Sequence, residues 1–369
     1  VRRQRAALAT AILLAAGAFA AGVAVAVGDG DEETPSVASR LSATQLAGQR
    51  IVLGFEGTRV PAPVRRAIRE GGAAGVVLFE DNLPSRATAR RLVAELEAIP
   101  RPPGLRDPLL VMTDQEGGLV ERLDGAPGAS AAAMGARGPA YSREQGRLTG
   151  VGLRGVGVNV DLAPVLDVAR PGGTIAETER GFGSTAAAVA STAVPFAEGL
   201  REAGVAATAK HFPGFGAARA NTDFAVERIG LSKATLRRVD EAPYRRFVDA
   251  GGELVMLSTA IYPAFSSRPA AFSRAVATGE LRDRLGFEGV SITDALETVA
   301  VRDFGGPARA GLAAARAGVD LLLFTDPGAA ARARRALLRG LRAGDLPRAG
   351  FEQSAGRVLR LRHRLGAVG

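Results

Sequence analysis

The chain has 369 residues, enough for one large domain or two ordinary ones, and its 47% hydrophobic and 23% charged content is that of a globular protein. A net charge of +9 invites a nucleic-acid reading, but all but two of the 47 basic residues are arginine, scattered among acids, with few aromatics to stack bases, so nucleic acid is set aside. Cysteine is absent, which excludes disulfides, thiolate metal sites, a cysteine nucleophile and a lipid-modified cysteine.

In chain order, "VRRQR" comes first, followed by "AALATAILLAAGAFAAGVAVAV" (6–27), which carries no charge. An acidic, polar stretch, "GDGDEETPSVASR", follows. A basic start, an apolar run long enough to span a bilayer and an acidic flank read as an export signal with positive-inside orientation. Ala24-Val25-Ala26 offers only a weak cleavage site, so a cleaved signal and an uncleaved anchor both stand. Residues 1–40 are therefore assigned to signal or anchor plus linker, and 41–369 to one folded domain. The membrane is expected to be touched only through residues 6–27, the protein to lie outside the cytoplasm, and the chain to be a monomer.

From residue 50 onward, apolar β-branched runs alternate with amphipathic ones. The strand-like runs are 50–55, 74–79, 108–113, 158–163, 205–210, 253–258, 289–294 and 319–324. Helix-like segments lie between them, such as "PSRATARRLVAELEAI" and "SKATLRRVDEAPYRRFVDAG", and two more follow the eighth run at about 329–343 and 350–366. Continuous apolar strands are buried on both faces, which implies a parallel sheet. Eight strand–helix units predict an α/β fold of the (β/α)8 TIM-type barrel class. A dinucleotide-binding sheet would need G-x-G-x-x-G after its first strand, and "GFEGTRV" is not that.

A barrel places its chemistry at the C-terminal ends of the strands. Those ends carry Asp114, Gln115 and Glu116 after strand three, Lys210 and His211 after strand five, and Asp294 at the end of strand seven; Arg122 and Arg180 lie in the loops after strands three and four. Any one of these could be an ion pair capping a strand, and His211 could be a hydrogen-bonded core histidine. As a set they outline a polar ring around one mouth. No His pair at helical spacing, cysteine or acidic calcium loop is present, so no metal is expected.

Four segments, "TDQEGGLVERL" (113–123), "ETERGFGS" (177–184), "KHFPGFG" (210–216) and "GVSITDALETVA" (289–300), resemble the signature segments of glycoside hydrolase family 3. The likeness is to its single-domain bacterial β-N-acetylglucosaminidases and covers about residues 42–366. It implies that Asp294 is the nucleophile that forms a covalent glycosyl-enzyme. It also implies that Asp114, Arg122, Lys210, His211 and Arg180 bind the hydroxyls and acetamido group of the −1 sugar, an N-acetylglucosamine-containing glycan, without a cofactor.

The resemblance also implies an acid/base histidine on the loop after strand five, in a pattern close to K-H-F-P-G-H-G followed by D-S-H. Here Phe215 stands at the first of those later histidines, and "NTDFA" supplies Asp223 with Phe224 and Ala225 where an imidazole is expected. The other histidine of the chain, His363, belongs to the last helical stretch. Leu119, Thr259 and Ala295 are milder departures. Two readings stay open: a retaining glycosidase in which Asp223 or Glu227 serves as acid/base, or a weak or inactive glycan-binding barrel.

Overall fold

In the computed structural model, residues 37–367 are described. The apolar run 6–27 and its flanks, assigned above to export, lie outside the described residues. Among the described residues no helix is long and apolar enough to cross a membrane.

Each of the eight apolar runs contains a strand: β1 (Ile51–Leu53), β2 (Gly75–Val77), β3 (Leu110–Thr113), β4 (Val160–Asp161), β5 (Ala206–Phe212), β6 (Leu254–Leu257), β7 (Val290–Thr293) and β8 (Leu322–Phe324). They pair in parallel in the order β7-β6-β5-β4-β3-β2-β1-β8. A parallel bridge, Ile292 to Leu321, brings β7 against the approach to β8 and nearly closes the barrel. Every strand residue is buried, as continuous apolar runs require. The strands are shorter than the runs because only the segments within hydrogen-bond reach of both neighbours join the sheet. β4 keeps two residues, and Pro164 just beyond it has no N–H to offer. β5 instead runs on to Phe212 and takes Lys210 and His211 into the strand.

Two cores result. Inside the barrel, Val52, Val77, Met112, Leu254 and Ile292 pack together, and Val358 and Leu361 of the helix Arg348–Ala367 close the N-terminal end. Outside, the helices bury their apolar stripes against the other strand face. The segment 84–99 forms the helix Arg86–Glu97, started by Ser85, whose Oγ accepts from the N–H of Thr88 at 3.2 Å. The segment 232–251 is not the single helix its pattern suggested. It divides into Lys233–Thr235, a wide turn Leu236–Asp240, and Ala242–Asp249, where Pro243 in the first turn restarts the helix. The last two helices are Pro327–Ala343 and Arg348–Ala367.

Candidate active site

A cavity of 490 Å³ opens at the C-terminal mouth, lined by Asp114 and Glu116 beyond β3, Lys210 and His211 of β5, and Asp294 beyond β7. Arg122, Arg180 and Asp223 also face it. Successive residues of a regular strand point to opposite sides. Lys210 and His211 both reach the cavity because the register of β5 on β6 slips between Ala209 and Phe212, where the Lys210–His211 peptide is cis.

Lys210 is 2% exposed, and its Nζ lies 2.6 Å from Asp114 Oδ1 and 2.6 Å from Glu116 Oε1. Arg180 grips Glu116 from the other side through two N–H···O bonds of 2.8 Å. Burial alone would raise the Glu116 carboxyl, but Arg180 and Lys210 hold it well below the usual carboxylate range. Burial likewise works against the Lys210 ammonium, and Asp114 and Glu116 more than offset it. Arg180 thus lines the cavity with its fork on Glu116, whose carboxylate it positions.

Gln115 also departs from expectation. It is 1% exposed and turned inward, accepting from the N–H groups of Arg122 (2.9 Å) and Leu123 (3.1 Å) and donating to the carbonyl of Leu123 (2.8 Å). It folds the loop after β3 and does not line the cavity. The turn after it needs glycine at Gly117, with φ of +90° and the carbonyl of Ala129 only 2.3 Å from where a Cβ would be. Arg122, held by that loop, faces the cavity with a buried Nε that has no acceptor. It is a cation with hydrogen-bonding capacity to spare for a ligand.

His211 is oriented by a residue that the sequence reading passed over. Asp167, fully buried in the segment after β4, sits 2.7 Å from His211 Nδ1. The carboxylate also accepts the backbone N–H of His211 (3.1 Å) and of Phe215 (2.6 Å). Nδ1 therefore carries a proton and Nε2 is left for the cavity. An acid inside the otherwise uncharged run "LAPVLDVA" was the available signal.

Asp294 accepts from the N–H of Ala295 at 2.8 Å. Burial raises its carboxyl above the ordinary aspartate range; His211 draws it back and the charge of Asp223 pushes it up. That coupling brings Asp223 into the electrostatic reach of Asp294. Asp223 is exposed at the rim, with its Oδ2 accepting from Asn221 Nδ2 at 3.0 Å. Its loop is pinned to the segment after β7, because Val299 and Ala300 donate to the carbonyls of Asp223 (3.3 Å) and Thr222 (3.2 Å). Glu227, the other candidate acid, is not among the cavity residues and accepts from the N–H of Arg219 at 3.2 Å.

Glu297 was not anticipated. It lines the cavity three residues beyond Asp294, and its Oε1 accepts from the N–H groups of Thr325 (3.0 Å) and Asp326 (3.2 Å). Its Oε2 is buried without a partner, and burial pushes the carboxyl up to about 7. Among the described residues no group of three or more His, Cys, Asp or Glu is placed to hold a metal.

The family model of the glycosyl hydrolase family 3 N-terminal domain matches residues 41–361. The chain belongs to glycosyl hydrolase family 3. An uncharacterized secreted glycosyl hydrolase of Arthroderma benhamiae is 37% identical over 331 residues, 87% of this chain and 93% of that protein. A β-hexosaminidase of Alkalilimnicola ehrlichii is 35% identical, covering 75% of this chain and 80% of its own. Among solved structures, the β-N-acetylhexosaminidase of Beutenbergia cavernae superposes with a TM-score of 0.80 at 33% identity, over 88% of this chain and 99% of that one. The family 3 β-N-acetylglucosaminidase of a Paenibacillus strain gives 0.84 at 33% identity, and this chain spans 64% of its length. The single-barrel layout expected from the resemblance agrees with these likenesses.

Proposed function

We propose that this family 3 chain is an exported, retaining β-N-acetylhexosaminidase that removes terminal β-linked N-acetylglucosamine from cell-wall-derived or similar glycans. The observation that carries the reading is the pairing of Asp294 and Asp223 across one cavity, ringed by Lys210, His211 and Arg122. Asp294 attacks the anomeric carbon while Asp223 delivers its proton to the departing oxygen, leaving a glycosyl ester on Asp294. Asp223, now ionised, takes a proton from water as that water attacks the ester, and free sugar leaves with retained configuration. Lys210, His211 Nε2 and Arg122 hold the sugar's oxygens, and the acid network of Asp114 and Glu116 fixes Lys210. The names of the relatives support the hexosaminidase assignment.

Release of phenol from an aryl N-acetyl-β-glucosaminide by the purified protein tests the reading; no turnover on this activated substrate sinks it. The exposure of Asp223, together with Phe215, Phe224 and Ala225 on a loop without an imidazole, favours a second reading as a glycan binder. Calorimetric binding of N-acetylglucosamine without any turnover would establish that one. Export rests on the uncharged run 6–27 and its basic start, and a secreted relative supports it. Cell fractionation that finds the full-length chain in the cytosol overturns it.

A further inference from the structure

On the face opposite the sugar pocket, where β1 and β8 begin, lies a second cavity of 410 Å³. Arg50, Arg274, Arg282, Arg316 and Arg357 line it, and no carboxylate does. The acid beneath them is Asp320, fully buried, which accepts from Arg282 at 2.6 Å and from Arg357 at 2.8 Å. Arg50 donates to the backbone carbonyl of Asp320 at 3.3 Å and lies 4.5 Å from the ring centre of Phe351. Arg274 and Arg316 are exposed and have no ion pair among the described residues.

One carboxylate facing five guanidinium groups leaves this wall short of negative charge. Burial lowers Arg50 to about 10; Asp320 resists, and repulsion from Arg357 adds to the fall. Arg282 is lowered by the same burial and the same neighbour. The adjoining groove, which shares Arg282 and Arg357, adds Arg360 but also the carboxylates of Asp283 and Glu288. Clustered, partly unpaired guanidinium groups around a concave space are suited to phosphate oxygens, which they bind through forked N–H pairs.

The course of the chain says which phosphate. The first described residues, the short helix Val37–Arg40, lie along the helix Arg348–Ala367 that forms one wall of the cavity. Arg348 donates to the carbonyls of Ser39 (3.1 Å) and Leu41 (2.9 Å), and buried Ala38 packs beside Gly356, next to Arg357. The described residues thus begin at the arginine-lined end of the barrel, and the uncharged run 6–27 precedes them in the sequence. Only the nine residues 28–36 separate that run from the first described residue in the sequence.

We propose that the arginine cavity is a docking site for the phosphate of anionic lipid headgroups, and that it seats the barrel with its sugar pocket facing away from the bilayer. This rests on the export reading, but its test does not use the apolar run. Residues 36–369 form a compact unit with its own two cores, and the Beutenbergia relative is a barrel of almost the same extent, so this part is suited to study alone.

The barrel is sedimented with vesicles of phosphatidylcholine alone or with about a quarter phosphatidylglycerol, and titrated separately with inorganic phosphate. The expected result is binding to the anionic vesicles only, weakened by salt, and about five-fold weaker for each arginine reversed in Arg274→Glu and Arg316→Glu. Both variants should keep the melting temperature and N-acetylglucosamine affinity of the parent. Equal binding to neutral vesicles, no vesicle binding, or unchanged binding in the double variant overturns the proposal. Binding of free phosphate without vesicle binding also overturns it, in favour of a small-anion site. A cytosolic location in cells would remove the export reading while leaving the vesicle result intact.

Discussion

Asp167 holds three groups of the strand-five loop with one carboxylate: the His211 ring at 2.7 Å and the backbone N–H groups of His211 and Phe215. This fixes both the tautomer of His211 and the bend that follows it. Asp167→Asn keeps the shape but puts an amide where a hydrogen-bonding anion was. Affinity for N-acetylglucosamine should fall roughly ten- to hundred-fold, with a smaller loss of thermal stability. Calorimetry and a melting curve on the same sample check this. An unchanged affinity would show that His211 does not need its ring held.

Glu116 is buried between Arg180 and Lys210, so Glu116→Gln leaves two cations short of a counter-charge. Destabilisation of about 3–5 kcal/mol is expected from denaturant unfolding. The pH dependence follows from the depressed carboxyl. Its contribution is present above the unfolded value of 4.5 and is lost as pH falls through the much lower folded value. The parent should therefore lose stability below about pH 4 more steeply than the variant does.

Glu297 has the opposite sign. Its folded value is raised from 4.5 to about 7, so the favourable contribution of the protonated form is full below 4.5 and is lost as pH climbs through 7. Glu297→Gln, which retains an oxygen for the N–H groups of Thr325 and Asp326, should be more stable than the parent at pH 8 by about 2–3 kcal/mol. The two should be nearly equal near pH 4. Parallel unfolding curves at both pH values would contradict the assignment.

Under the proposed mechanism, Asp294→Asn should lower turnover by roughly three to five orders of magnitude while sugar binding persists. Asp223→Ala should be selective. The glycosylation step with an activated phenol needs little protonation and should survive, whereas natural glycosides should be cleaved far more slowly. Azide, which needs no general base, should rescue deglycosylation in that variant. Loss of both substrate classes in equal proportion would rule out Asp223 as acid/base.

The barrel was legible because each strand is buried on both faces and so announces itself as an unbroken apolar run. The strand ends then pointed to Asp114, Lys210 and Asp294. What could not be read was the direction of neighbouring side chains. The slip between Ala209 and Phe212 decides that Lys210 and His211 face the same way, and it arises from pairing with β6, far along the chain. The Glu116–Arg180 grip joins residues on two different loops, and no local pattern records it. Asp167 and Glu297 were missed for a related reason, since an acid in an apolar stretch shows its purpose only when its distant partners are known.

The helix Arg348–Ala367 seals the N-terminal end of the barrel with Val358 and Leu361, and its residues are made after all eight strands. Until they leave the ribosome, the inner core has no floor and β1 still awaits β8. Closure therefore depends on contacts between segments some three hundred residues apart, which form slowly. Under the proposed export, that delay leaves the chain unclosed while it passes a translocation channel.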